Sequence, residues 1–155
     1  RPPFPYVPAP DWPARTAFGE CVVVRAAARG RGYQRLLIKA RSAAAEAAGR
    51  RWLCAGVHLE NGHSWRNLLK SGFLMIGCRD EPPPPRLGFL KPLNGSSLPL
   101  RPETVRRVAC HDIDGHRAAF RAGLIGAGFD GEERVLYRAP VRAAAVAPGG
   151  TARAA

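Results

Sequence analysis

Residues 24–37 read VRAAARGRGYQRLL, and this stretch indicates a strand before it and a helix after it. It runs from the end of an apolar segment through alternating arginine and glycine into residues typical of a helix. A helix that begins near Gly32 exposes backbone N–H groups without partners, and its dipole adds about half a positive charge at that end. Gly30 and Gly32 let a ligand approach the backbone, while Arg29 and Arg31 add charge. The stretch predicts a seat for a phosphate or diphosphate, with a plain glycine-rich turn as the alternative.

Two other phosphate-binding patterns are excluded by the residues themselves. The pattern GxxxxGK[ST] is absent, because no lysine and hydroxyl pair follows the glycines. The dinucleotide pattern GxGxxG fails at its third glycine, where the chain has Arg35. A nucleoside triphosphatase and a nicotinamide dinucleotide enzyme are therefore set aside.

The segments on either side of this stretch predict alternating strands and helices. FGECVVV, at 18–24, predicts a strand covered on both faces, and a helix follows from Tyr33 to Ala48, ended by Gly49. RWLCAGVHL, at 51–59, predicts a second buried strand, and Asn61 can cap a short helix that Gly72 ends. FLMIGC and RLGFLKPL predict two more strands. The apolar side predicted for the first helix is Tyr33, Leu36, Leu37, Ala40, Ala44 and Ala47, and that for the second is Trp65, Leu68 and Leu69.

The chain beyond the turn-forming NGSS, at 94–97, predicts strand, helix and hairpin, and it echoes the preceding part. When Gly72 is laid on Gly123, Asn61 falls on Asp112 and Gly77 on Gly128. Two explanations are open: a degenerate repeat, or two unrelated strand–helix–strand units that look alike by convergence. Convergence is favoured. We expect four regions: a proline-rich extended segment at 1–17, a core at 18–93, a small strand–helix–strand appendage at 94–140 and a disordered tail at 141–155.

Two motifs in the core resemble those of the Gcn5-related N-acetyltransferase superfamily. The first pattern, [QR]-x-x-G-x-[GA], corresponds to Arg29–Gln34, with Gln34 in place of the final Gly or Ala. The second is V-x-x-x-N followed by K-x-G-F, and VHLENGHSWRNLLKSGF matches it with Asn61, Lys70 and Gly72 in step. The resemblance covers residues 18–93.

This resemblance implies a fold, a cosubstrate and a set of contacts. The fold is α/β, with a mixed, largely antiparallel sheet, one splayed parallel pair of strands and flanking helices. The cosubstrate is acetyl-coenzyme A, whose pantetheine arm would pair with Val22, Val23 and Val24. The loop from Arg29 to Gln34, formed by Arg29, Gly30, Arg31, Gly32, Tyr33 and Gln34, would hold its diphosphate, and Asn61 would lie beside it. The acceptor would be an amine of a small molecule or peptide. Relatives place further strands and helices before this core, so the chain is expected to be shortened at its N-terminus.

The catalytic residues are less well marked. Many relatives carry a tyrosine seven positions after the motif asparagine, and that position is Leu68 here. For a general base, Glu20 is the first choice, followed by Glu60 and His58, although each is also explained as a solvated or hydrogen-bonded side chain. No set of metal ligands is predicted.

The composition allows further interpretations. The 155 residues carry a net charge of +12, which favours an anionic partner. A nucleic-acid-binding module is thus an alternative, made unlikely by the lack of a helix-turn-helix, zinc-finger or RNP signature. A catalytically silent interaction domain is another. Four widely spaced cysteines indicate a reduced, cytoplasmic protein, no stretch is apolar enough to span a membrane, and a homodimer is left open.

Overall fold

The computed structural model describes residues 12–19, 23–79, 84–131 and 133–141. The predictions for Glu20 and Val22, and most of those for the two termini, lie outside these ranges. Three α-helices are described: α1 (Tyr33–Ala47), α2 (Gly62–Lys70) and α3 (Ile113–Arg121). Short 3-10 helices lie at Trp12–Arg15 and Ala26–Ala28. The strands are β1 (Thr16–Gly19), β2 (Trp52–His58), β3 (Leu74–Arg79), β4 (Arg86–Pro92), β5 (Leu100–Ala109), β6 (Ile125–Asp130) and β7 (Arg134–Pro140).

The strands form one sheet in the order β1-β2-β4-β3-β6-β7-β5. Strands β1 and β2 are parallel, and every other neighbouring pair is antiparallel. The predicted fold class, a mixed α/β fold with one parallel pair in a largely antiparallel sheet, is therefore confirmed. The segment 94–140 continues this sheet through the pairing of β3 with β6.

The first strand differs from its prediction. It begins at Thr16, and Val23 and Val24 lie outside any strand. Strand β1 is also the edge of the sheet, and Phe18 is 58% exposed, so the prediction of a strand covered on both faces was wrong. The apolar run was compatible with either placement, because an edge strand and a central strand share the same residue types.

Helix α1 has the predicted position but faces the core with a different side. The buried residues are Ile38, Ser42 and Ala45, whereas Leu36 is 60% exposed and Tyr33 and Leu37 are also exposed. The predicted apolar side was therefore wrong. Most apolar residues of this helix lie on the predicted side, yet the buried side is the one that carries Ile38, Ser42 and Ala45, so apolar spacing alone does not identify the buried face. The end of the helix matches its prediction: Gly49 adopts a φ of +69°, and Arg50 N–H donates to the Ala45 carbonyl.

Helix α2 matches its predicted cap, core face and end. Ser64 N–H donates to Asn61 Oδ1 at 3.1 Å, and Trp65, Leu68 and Leu69 are buried. Gly72 has a φ of +83°, and Phe73 N–H donates to the Leu68 carbonyl as the chain leaves the helix.

The chain from β5 to β7 repeats the arrangement of β2 to β4. The same number of residues separates Gly62 from Ile113, and Lys70 from Arg121, at the bounds of α2 and α3. The bounds of β3 and β6 keep that separation. In each unit the last strand inserts between the other two, giving β2-β4-β3 and its reverse, β6-β7-β5.

An approximate two-fold axis relates the two units. It passes between Met75 and Gly126, which pair across the β3–β6 junction and are equivalent positions of the two units. The contacts are reciprocal, since α2 packs on β6 and α3 packs on β3. Each unit also has a register irregularity at the same place, next to Gly77 in the first and Gly128 in the second. The likeness noted in the sequence is thus a repeat of the whole unit in three dimensions.

The core lies between the helices and one face of the sheet. Trp65 of α2 stacks on Phe129, and Met75, Phe89 and Tyr137 are fully buried beneath the helices. A second cluster on the opposite face contains Trp52, Cys54, Ile76, Leu90 and Ile125. None of the described helices is long and apolar enough to cross a membrane.

Candidate functional site

The loop that precedes α1 presents a row of free backbone amides. Gly30 and Gly32 both have a φ of +76°, whereas φ at Arg29 is −67° and that at Arg31 is not positive. Left-handed residues that alternate with right-handed ones turn successive N–H groups toward one side and form an anion-binding nest, and the left-handed Gly30 and Gly32 supply the left-handed part of that pattern. In the part of the chain that the structure describes, none of the amides from Gly30 to Gln34 is hydrogen-bonded.

The left-handed backbone explains why this loop uses glycine. A Cβ added to Gly30 or Gly32 would have no other atom within 4 Å, so its neighbours do not exclude one. The positive φ does, because an L-residue there costs roughly 1–2 kcal/mol. Two hydrogen bonds donated by Arg29 fix the start of the loop. Its Nε donates to the Val24 carbonyl at 3.3 Å, and its backbone N–H donates to the Ala26 carbonyl at 3.1 Å.

A cleft of about 770 Å³ opens beside this loop, and we call it the amide cleft. Its lining combines the segment after β1, the loop, the start of α1 and the exposed side of α2. The lining residues are Val23, Val24, Ala28, Arg29, Gly30, Gly32, Tyr33, Gln34, Arg35, Asn61, His63, Ser64 and Asn67. Strands β1 and β2 are paired as far as Gly19 and Ala55, and by Val23 the first segment has left the sheet.

Gln34 joins the two helices that border the amide cleft. Its Nε2 donates to Ser64 Oγ at 2.7 Å, and Asn67 Nδ2 donates to its Oε1 at 2.8 Å. Both ends of the Gln34 amide are therefore used in holding α1 against α2. This accounts for glutamine at a position where the first motif has Gly or Ala, and it leaves the amide cleft open.

Asn61 lies at the turn between β2 and α2. Its Oδ1 caps the helix, and its side-chain NH₂ has no partner among the described residues. That group is a donor in the lining of the amide cleft and is available to a ligand carbonyl.

The structure brings most of the predicted binding residues together, and two of the three predicted bases, His58 and Glu60, are not among them. Val23, Val24, Arg29, Gly30, Gly32, Tyr33, Gln34 and Asn61 all line the amide cleft. Arg31 lines a neighbouring groove. His58 and Glu60 are exposed at the end of β2 and in the following turn, and neither is among the residues that line the amide cleft.

Four lining residues were not predicted from the sequence: Arg35, His63, Ser64 and Asn67. His63, Ser64 and Asn67 lie on the side of α2 opposite Trp65 and Leu69, so the helical period of the sequence could have predicted that they share one face. His63 supplies an imidazole, whose ring nitrogens can donate or accept a hydrogen bond.

Among the described residues, Leu68 and Cys54 supply no proton donor or nucleophile to the amide cleft, and Tyr33 is the tyrosine that lines it. Leu68, at the position of the tyrosine in many relatives, is 5% exposed and belongs to the core. Burial raises the pKa of Cys54 to about 11, and this thiol lies on the far face of the sheet. Within the described ranges, no three His, Cys, Asp or Glu side chains are grouped as a metal ion would require.

The comparison with solved structures gives a partial likeness. The chain is similar to a solved structure titled "Crystal structure of a putative phosphinothricin N-acetyltransferase", with 22% identity and a TM-score of 0.47. The likeness covers 57% of this chain and 56% of the other, so this chain spans a little over half the length of that protein. No protein-family model matches the chain, and no curated protein matches it.

Proposed function

We propose that this chain binds acetyl-coenzyme A in the amide cleft and transfers its acetyl group to an amine, as a domain of the Gcn5-related N-acetyltransferase type. The observation that carries the proposal is the row of five free amides at the start of α1, set beside a parallel pair of strands whose first member leaves the sheet. The two sequence motifs meet at this place, because Arg29, Gly30, Gly32, Gln34 and Asn61 line the same cleft.

The residues present fit coenzyme A in charge, shape and hydrogen bonding. A diphosphate needs donors and positive charge, and the loop supplies backbone N–H groups together with Arg29 and Arg35. The open space at Gly30 and Gly32 leaves room for phosphate oxygens against the backbone. The pantetheine arm carries amide groups, for which the side-chain NH₂ of Asn61 and the backbone of Val23 and Val24 are suitable partners.

The reaction depends more on positioning the amine against the thioester than on reactive side chains. The amine nitrogen attacks the thioester carbonyl, the C–N bond forms, the C–S bond breaks, the amine loses a proton and the thiolate gains one. His63 is the lining residue best suited to carry that proton, since Leu68 cannot do so. His58 and Glu60 remain candidates for the base that keeps the amine neutral, because both lie where β2 ends, next to Asn61.

A second function is favoured by one observation. Position 68 is a leucine and cannot donate a proton as the tyrosine of many relatives does, so a domain that binds acetyl-coenzyme A without turnover is the next candidate. Thiol release in the presence of amines distinguishes the two functions, because only the transferase produces it.

A pair of glycine variants at opposite ends of α1 tests the proposed seat. Gly32 and Gly49 have similar φ values, +76° and +69°, and open space at both positions, so an aspartate imposes a comparable backbone strain at each. Gly32→Asp places a carboxylate where the diphosphate would lie, whereas Gly49→Asp is remote from the amide cleft. Saturating acetyl-coenzyme A, at about 100 times Kd, stabilises a one-site protein by about 2.7 kcal/mol.

The expected result is a rise in Tm of roughly 5–10 °C for the unaltered chain and for Gly49→Asp, and no rise for Gly32→Asp. A rise retained by Gly32→Asp would show that the loop is not the seat. No rise in any of the three proteins would reject acetyl-coenzyme A as the ligand. A rise without thiol release across a panel of amines would favour the silent domain.

A further inference from the structure

Three basic side chains cross the sheet in a line where β2, β4 and β3 lie side by side, and we call them the basic row. His58 pairs with Arg86, and Arg86 pairs with Arg79. Directly paired residues of neighbouring strands point to the same face of a sheet, with Cβ atoms about 5 Å apart. All three residues are exposed. The basic row therefore concentrates positive charge on one small area of the surface.

The basic row is not explained by ion pairs within the molecule. Like charges directly opposite each other on neighbouring strands destabilise a sheet. In the described part of the chain, the side chains of His58, Arg79 and Arg86 form no hydrogen bond or ion pair. The fold therefore carries an unfavourable arrangement of charge here, which an anionic ligand would offset.

The second unit of the repeat shows that these strands do not require three basic residues in line. Its equivalent row consists of Ala109, Arg134 and Asp130, which pair across β5, β7 and β6 in the same way. Arg134 there lies opposite a carboxylate, and Asp130 also forms an ion pair with Arg107 at 2.9 Å. The equivalent place in the second unit thus contains an acidic residue, whereas the basic row contains none.

The basic row lies on the face of the sheet opposite α1, α2 and α3, whose buried residues belong to the first core cluster. Side chains along a strand alternate between the two faces, so residues four positions apart share one face. Cys54 and Leu90 are four positions from His58 and Arg86, and both belong to the second core cluster. A ligand at the basic row therefore approaches from the side of the sheet that is turned away from these helices.

Glycine separates the basic row from the second core cluster. Gly56, Gly88 and Gly77 are the next residues on this face of the three strands, and they too are paired with one another. Gly56 is exposed, and a Cβ added to it would have no other atom within 4 Å. Glycine inside a strand commonly marks a close approach of a ligand or of another backbone. The sheet is therefore open at Gly56 to a ligand whose acid groups lie at the basic row.

The basic row begins beside the amide cleft. Strands β1 and β2 are paired as far as Gly19 and Ala55, and His58 ends β2 beyond that point. Asn61, which lines the amide cleft, donates its backbone N–H to the His58 carbonyl at 3.0 Å. A ligand at the basic row is therefore close to the end of the cleft that lies at β2.

Resting on the proposed function, we propose that the basic row binds the acid groups of the acceptor, so that the acceptor is an amine that also carries carboxylates. Arg79 and Arg86 can each bind a carboxylate through two parallel hydrogen bonds. The acceptor would then lie beside His58, one of the candidate bases. An amine without an acid group leaves both guanidinium groups without a partner and is disfavoured.

The test measures thiol release from acetyl-coenzyme A by the full chain with three amines: L-aspartate, its diamide, which has no carboxylate, and 1,5-diaminopentane. We expect kcat/KM for L-aspartate to exceed that for the other two by roughly tenfold or more, as charge-assisted contacts to one carboxylate would give. Arg79→Gln and Arg86→Gln should each lower the ratio of L-aspartate to its diamide by about tenfold, chiefly through KM. Arg134→Gln is the matched control, because it removes the same charge from the equivalent row, and it should leave the ratio unchanged.

Three results would overturn the inference while the proposed function stands. The first is that the diamide or the diamine is used as well as L-aspartate. The second is an effect of Arg134→Gln as large as that of Arg86→Gln, which would show general attraction by net charge. The third is a lower Tm with an unchanged ratio in Arg86→Gln, which would show that the basic row pairs with a carboxylate of the chain, such as Asp80 or Glu81, which follow Arg79 in the sequence.

A binding measurement decides the case in which none of the three amines releases thiol. NMR of the ¹⁵N-labelled chain is then followed during titration with L-aspartate. Shifts confined to the backbone amides of 56–58 and 86–88, and lost in Arg86→Gln, would support the basic row as the acid-binding site. The absence of shifts there would overturn it. A chain that does not bind acetyl-coenzyme A would reject the proposed function and this inference together.

Discussion

His116 lies near the centre of the molecule, where it is 1% exposed and contacts Trp65 and Tyr137. Its Nε2 is 3.4 Å from the Cys110 carbonyl, which can only accept a hydrogen bond, so Nε2 carries the proton. In the neutral ring Nδ1 is an acceptor, and the Tyr137 hydroxyl, 2.8 Å away, donates to it. The same hydroxyl lies 3.3 Å from Met75 Sδ, to which it would donate if the ring were charged and Nδ1 carried a proton. Burial of the ring favours the neutral imidazole over that charged form.

The stability of the fold should therefore fall at acid pH. Burial lowers the pKa of His116, partly offset by its bond to the Cys110 carbonyl and by Asp112. The unfolded chain binds this proton more readily than the folded chain, so the contribution is complete above about pH 6.5 and is lost as the pH falls below that value. The slope for one proton is at most about 1.4 kcal/mol per pH unit.

Urea midpoints at pH 7.5 and pH 5.0 check this expectation. The unaltered chain should have a lower midpoint at pH 5.0, and His116→Gln should reduce the difference. His111→Gln, which changes an exposed histidine nearby, is the control and should keep it. A pH dependence that survives unchanged in His116→Gln would contradict the assignment.

Single residues also mark the limit of prediction from the sequence. Gly49 and Gly72 were placed correctly at helix-ending positions, because such positions have a strong local preference for glycine. The role of Gln34 could not be predicted, since it depends on Ser64 and Asn67, which are thirty positions away and on another helix.

Helices α2 and α3 are equivalent elements with equivalent caps. Asn61 Oδ1 accepts from Ser64 N–H at 3.1 Å, and Asp112 Oδ1 accepts from Gly115 N–H at 2.8 Å. Gly115 is required there, because a Cβ would lie 2.3 Å from Asp112 Oδ2 and 2.8 Å from a methyl group of Val108. Asn61 and Asp112 each stabilise the start of a helix, but of the two residues only Asn61 lines the amide cleft.

Asn61→Ala and Asp112→Ala should thus have the same effect on stability and different effects on ligand binding. Each loses a cap worth about 1 kcal/mol and should lower Tm by roughly 2–4 °C. Asn61→Ala should also weaken acetyl-coenzyme A by about tenfold, as the loss of one good hydrogen bond in a cleft would do. Thermal unfolding and calorimetric titration of the two variants check this, and equal affinities in both would remove Asn61 from the site.

Elements with strong end signals were predicted closely, and those whose environment is set by distant strands were not. Helices α1 and α2 begin and end within a residue of their predicted bounds, since glycine and asparagine mark them locally. The buried side of α1 and the edge position of β1 depend on which strands lie beneath them, and that information is not local to either segment.

At the scale of the molecule, the two units of the sheet differ in what precedes them. Strand β1, the glycine loop and α1 come before β2, whereas β5 follows the turn at 94–97 with no strand or helix between that turn and Leu100 in the described chain. Within the described residues, the two units therefore have one helix cap each but share a single row of free amides, from Gly30 to Gln34. The proposed function predicts one ligand for each chain.

The repeat itself was visible in the sequence as a few aligned glycines and apolar residues, which is weak support by itself. The structure supports the repeat through the reciprocal packing of α2 on β6 and α3 on β3, and through the pairing of Met75 with Gly126. Strand order within a sheet is a property of the whole chain, so spacing along the sequence could not establish it.

The most direct test of the central claim is a titration of the ¹⁵N-labelled chain with coenzyme A, followed by NMR at each backbone amide. The account predicts that the largest shifts fall on the amides from Gly30 to Gln34, while those that open α3, from Ile113 to Gly115, stay unchanged. Shifts spread over the arginine-rich surface, with the amides from Gly30 to Gln34 unmoved, would contradict it.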